Sequence, residues 1–196
     1  MRILSFGVAA LLVSQWLASA QVAVEVAIAQ EQFLPGEGIP VVVRISNTSG
    51  QSLQLGEDDA WLTFYVETRD GQLAARNGQV PVKGLFMVES SQRANKHVDI
   101  SPYFDLEKQG NYRLTVTVKV PQWQKEISSK PIAFNIIKAS TFWEQEIGLP
   151  LTDGTANAQP EVRKYTLQKA NYLKQLRLYV RITDVSEGKL YKLIGL

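Results

Sequence analysis

Apolar and polar residues alternate with period two along most of the chain. Val22, Val24, Val26 and Ile28 are interleaved with Ala23, Glu25 and Ala27; Val41, Val43 and Ile45 with Val42 and Arg44. Leu62, Phe64 and Val66 stand opposite Trp61, Thr63, Tyr65 and Glu67. Short runs follow at Leu85/Met87 and Val98/Ile100. Tyr112 to Val120 alternates strictly with Arg113, Thr115, Thr117 and Lys119, and Ile132, Phe134 and Ile136 close the series. Successive side chains of a strand point to opposite faces, so each run has one core face and one wet face. Turn formers separate the runs: Phe33-Leu34-Pro35-Gly36-Glu37, Asn47-Thr48-Ser49-Gly50 and Arg69-Asp70-Gly71. Roughly seven short strands with turns every 8–12 residues predict an all-β protein, an antiparallel β-sandwich over residues 21–138.

The pattern changes after Lys138. Residues 139–160 read as a linker: Ser140 to Glu146 as a short helix capped by Ser140, then Leu149 to Pro160 (LPLTDGTANAQP), rich in turn and small residues. Residues 161–196 read as a β-hairpin segment, with strands over 162–167, 173–183 and 189–194 and a loop at Asp184–Gly188. Three strands rarely bury a core alone. The tail is therefore expected either to complete the sandwich or to begin a second domain.

Two short stretches carry a resemblance. Leu106-Glu107-Lys108-Gln109-Gly110-Asn111-Tyr112-Arg113-Leu114 resembles the corner before a late strand of immunoglobulin-like sandwiches, where a tyrosine hydroxyl turns back to the upstream backbone. Pro35-Gly36-Glu37 before a β-branched strand and the Asn47 turn resembles the opening of macroglobulin-like and bacterial proteinase-inhibitor-like sandwiches. The tail looks like segments of uncharacterised exported bacterial proteins. The resemblance implies an immunoglobulin-like fold over about 115 residues, and proteinase inhibition as one alternative function.

The first twenty residues fit a secretory signal peptide: Arg2, a short apolar core from Ile3 to Val13, and Ala18-Ser19-Ala20 as the cleavage site. That core is about half the ~20 residues a spanning helix needs. Export to the periplasm or the outside is expected, with cleavage before Gln21 and no integral membrane segment afterwards. The absence of cysteine excludes disulfides, thiolate metal sites and a cysteine nucleophile, and the single histidine excludes a multi-histidine metal site. The small net charge of +2 hides an asymmetry. Residues 21–160 hold 12 Lys+Arg against 16 Asp+Glu, net −4, and residues 161–196 hold 8 against 3, net +5.

Catalytic constellations are missing from the sequence, which has no Gly-x-Ser-x-Gly, His-Glu-x-x-His, phosphate loop or dinucleotide fingerprint. His97 reads as a strand histidine and Glu57-Asp58-Asp59 as a solvated turn. No enzyme activity, cofactor or metal is expected, and nucleic acid is a poor partner. The expected function is a non-catalytic exported binding, spacer or assembly module that contacts a protein or cell-envelope component through loops or a sheet edge. A carbohydrate-binding module is a further alternative. Candidate contacts are Trp61 and Tyr65, read as sharing one strand face, and Trp123, in a loop after Pro121. Arg177, Tyr179 and Arg181 share a face opposite Leu176, Leu178, Val180 and Ile182. That face reads either as an anion-binding strip or as a basic face packed near the acidic sandwich.

Overall fold

A computed structural model of the chain describes residues 22–149, 161–173 and 175–196; the expected signal peptide and residues 150–160 of the expected linker lie outside the described residues. Its strands are β1 (Val22–Ile28), β2 (Gln32–Phe33), β3 (Pro40–Asn47), β4 (Leu53–Leu55), β5 (Leu62–Thr68), β6 (Phe86–Val88), β7 (Arg93–Asp99), β8 (Gly110–Val120), β9 (Lys125–Ser128), β10 (Ile132–Ile136), β11 (Ser140–Gly148), β12 (Val162–Tyr172), β13 (Gln175–Asp184) and β14 (Leu190–Gly195).

One layer of the sandwich is β1-β3-β7. The other is β2-β10-β8-β5 with β9 added along β8, and β4-β6 forms a small extra ribbon. All pairs are antiparallel except β2 with β10. The alternating residues of the sequence meet between the layers: Val41, Val43 and Ile45 from one side, Leu114, Val116, Val118, Phe64 and Phe134 from the other. This core needs no disulfide, since a chain of this size buries enough apolar surface to fold without one. Tyr112 Oη donates to the Lys108 carbonyl at 2.8 Å, so the corner forms as its sequence implies. Asn47 is fully buried, and its Nδ2 donates to the carbonyls of Gln51 and Val88. Its amide therefore serves the turn.

The segment expected to be a helix is strand β11. Its Glu-Gln-Glu run suits a helix, but β-favouring Thr141, Phe142 and Trp143 lead it, and β12 offers a ladder in register from Trp143↔Leu167 to Gly148↔Val162. Tertiary pairing decides the outcome. The tail is accordingly a four-stranded meander, β11-β12-β13-β14, where the sequence suggested a hairpin. Among the described residues, its side-chain hydrogen bonds to the sandwich fall on residues 30–37. Glu31 N donates to Tyr172 Oη, Leu173 N to Gln32 Oε1, Arg177 Nη1 to Gln30 Oε1 and Arg181 Nη1 to the Pro35 carbonyl. Leu34, Ala170 and Tyr179 form a small buried cluster at this seam, with Leu193 against it.

Candidate interaction surfaces

Trp61 is 2% exposed and offers nothing to a partner. The expected alternation stops one residue short of it, because Asp59–Trp61 is a 3₁₀ turn and β5 begins only at Leu62. The turn swings the indole inward, where Nε1 donates to the Val82 carbonyl at 3.1 Å and the ring meets Phe86 edge-on. The acidic run beside it caps backbone: Asp58 Oδ1 accepts from Ala60 N, and Asp59 Oδ1 from Lys83 N. Trp123 does sit at the end of the sandwich in the turn Pro121–Trp123, but it is half-buried against the core.

Tyr65 is 40% exposed and lines a shallow groove of about 300 Å³ with Leu73, Ala74, Arg76 and Phe104. Arg76 spans this groove, with its guanidinium 5.9 Å from the Tyr65 ring centre and 5.6 Å from that of Phe104, while Nη2 donates to the Phe64 carbonyl. Thr68 N and Ala74 N donate to the Gln72 and Val66 carbonyls respectively. The outer edge of β5 is thus covered by residues 72–76.

Arg177, Tyr179 and Arg181 share one face of β13, as their spacing requires, but that face points at the sandwich. Tyr179 is 5% exposed, and burial, with the Glu37 carboxylate second, raises its hydroxyl above the usual tyrosine range. Arg177 stacks on the Tyr172 ring at 3.8 Å from its centre, in addition to its bond to Gln30. These three residues form the seam that holds the tail sheet, so they do not make an open anion-binding strip. Gly36 fits the seam: its φ of +78° suits glycine, and a β-carbon there would collide with the Leu190 side chain.

The opposite face of the tail sheet is open. Trp143, Leu167, Val180 and Ile194 stand in register across all four strands. Tyr165 and Ile182 flank this row on one side and Leu178 on the other. Trp143 is 45% exposed, and Ile147, Leu176, Ile194 and Leu196 are also exposed. Among the described residues nothing covers this face. Lys169 and Lys192 lie on it with no ion pair among the described residues, whereas Lys164, on the inner face, is held between Glu144 (3.1 Å) and Glu187 (2.6 Å). Those two partners, Glu187 first, raise the Lys164 ammonium above its usual range. Glu161 pairs with Arg163, which together with the Tyr191 hydroxyl lowers its carboxylate.

β11 closes one side of this sheet, and every residue in it is exposed. Its outer backbone edge meets no other strand among the described residues. A β-bulge falls between Thr141 and Trp143, and beyond it the six residues Trp143–Gly148 pair regularly with β12. The signal for this surface was present in the sequence as the alternation of residues 176–182, and what alternation could not tell was which face would be covered.

No family model matches this sequence, and no curated protein matches it. Among solved structures the chain is similar to Spo0M, a sporulation control protein from Bacillus subtilis, with 9% identity, 91% of this chain and 90% of that chain covered, and a TM-score of 0.44.

Proposed function

We propose that this is a non-catalytic, exported binding or assembly module that takes a strand of an envelope protein along the β11 edge. The observation that carries the reading is the contrast between edges. In the sandwich, residues 72–76 cover β5 and β2 pairs with the end of β10; of the open edges, β7 carries the polar and charged side chains Arg93, Asn95, Lys96, His97 and Asp99, and β1 carries Glu25, ion-paired with Arg44. Such devices blunt unwanted strand pairing. In the tail sheet β11 is left long, exposed and partly apolar, which is what strand addition uses: backbone bonds for affinity and alternate side chains for selectivity. The corner at Tyr112 supports an immunoglobulin-like reading of the sandwich, and the first twenty residues support export. With Trp61 buried, the carbohydrate alternative loses one of its aromatic platforms.

Export is tested by fractionating an expressing bacterium and weighing the product. A mature chain beginning at Gln21 in the periplasm or medium supports the reading, and an unprocessed cytoplasmic chain contradicts it. Strand addition is tested by placing proline at Glu144, Gln145 or Glu146 in turn. Substitution where N–H points outward leaves the β12 ladder intact and is expected to abolish capture of the envelope partner. Equal capture by every folded variant would sink the idea.

A further inference from the structure

We infer that the outer face of the tail sheet is where two copies of this chain pack on each other. This goes beyond the strand-edge reading and uses a different surface, the side chains of the sheet face and not the backbone of β11. An antiparallel sheet can leave one face in water, but that face is then polar. Here the row Trp143–Leu167–Val180–Ile194 crosses all four strands, with Tyr165, Leu178 and Ile182 beside it. A sheet face of this composition is normally buried against a second layer.

The size of the face suits a second copy. At a strand spacing of ~4.8 Å and a rise of ~3.3 Å, the four strands present a footprint of roughly 600 Å². Two copies would bury about twice that, at the lower bound of stable protein interfaces.

The arrangement of side chains is self-complementary. Consider a two-fold axis parallel to the strands, between β12 and β13. It lays β11 of one copy over β14 of the other, and β12 over β13, at the same height along the strands. Trp143 then faces the other copy's Ile194, Leu167 faces Val180 and Tyr165 faces Ile182. The basic residues avoid one another: Lys169 falls over Leu178, Lys192 over Gln145 and Arg163 over Asp184. All these juxtapositions follow from the observed registers. A two-fold interface requires this kind of reciprocity, in which residue i meets j and j meets i. Aligned sheets pack in this way about 10 Å apart.

Sedimentation velocity of the purified protein, from about 1 to about 100 μM, tests the inference. A dimer is expected across the upper part of that range. Trp143→Glu and Val180→Glu are each expected to give monomers, with the far-ultraviolet circular dichroism of the parent and the thermal midpoint the parent shows at concentrations where it is itself monomeric. Because the chain has no cysteine, a short bismaleimide can also report the register. A mixture of Trp143→Cys and Ile194→Cys proteins should cross-link far more than either protein alone. A monomer at every concentration overturns the inference, whether it is inert or binds phosphatidylglycerol vesicles through this face. So does a dimer that survives both glutamate substitutions, or equal cross-linking by each single-cysteine protein alone. None of these readouts depends on a β11 partner, so this inference and the strand-edge reading fail separately.

Discussion

Trp61 and Thr183 bear most directly on what single side chains do here. Trp61 fills the core and satisfies its own N–H, so Trp61→Ala is expected to cost about 3–5 kcal/mol of stability by chemical denaturation. It should leave partner binding per folded molecule unchanged. Thr183 is buried, and among the described residues its Oγ1 has no hydrogen-bond partner. Replacing that hydroxyl by a methyl in Thr183→Val removes an unpaired polar group, and a gain of about 1 kcal/mol is expected in the same measurement. Tyr112→Phe should move the other way by a similar amount, through loss of the bond to Lys108. The Tyr112 corner was legible because a local motif of nine residues contains both donor and acceptor. Trp61 was misread because a 3₁₀ turn interrupts the parity on which period-two reasoning depends.

The strands of the sandwich announced themselves wherever one face was apolar and the other polar. β2, β4 and β9 did not, being only two to four residues long. β11 was missed because its stability comes from β12 and not from its own pattern. The tail sheet shows the limit of alternation most clearly. Period two assigns Arg177, Tyr179 and Arg181 to one face, but it supposes that the apolar face turns inward. Here the polar face is covered, because Gln30 accepts from Arg177, the Pro35 carbonyl accepts from Arg181, and Tyr172 takes the Arg177 stack. Those acceptors are neutral, so the seam should resist moderate salt far better than an ion-pair contact would. High pH is the condition that should open it. The folded protein holds the Tyr179 and Tyr112 hydroxyls above their ordinary range, chiefly by burial. A raised folded-state value means that the stabilisation is complete below the unfolded value near 10 and is lost as pH rises beyond it. Melting temperature should therefore fall above about pH 10, more steeply than in Tyr179→Phe, where one of these groups cannot ionise.

At the scale of the molecule, the charge asymmetry largely disappears once β11 joins the tail sheet: residues 21–138 hold 12 Lys+Arg against 13 Asp+Glu, net −1, and residues 139–196 hold 8 against 6, net +2. The two parts meet at a seam of uncharged acceptors. Gly36 lies in a turn at this seam, so Gly36→Ala, with a β-carbon directed at Leu190 and a left-handed backbone to hold, is expected to loosen the tail without unfolding the sandwich. Hydrogen exchange should then rise in β12 to β14 and stay unchanged in β3 and β8. The central claim is that the tail sheet is docked by its arginine–tyrosine face and presents its apolar face outward. Labelling of two adjacent engineered cysteines tests it most directly, in solution dilute enough to keep copies apart. Ile182→Cys, on the open face, is expected to react with maleimide far faster than Thr183→Cys, which lies on the docked face. A faster reaction at position 183, or equal rates at both, would contradict the account.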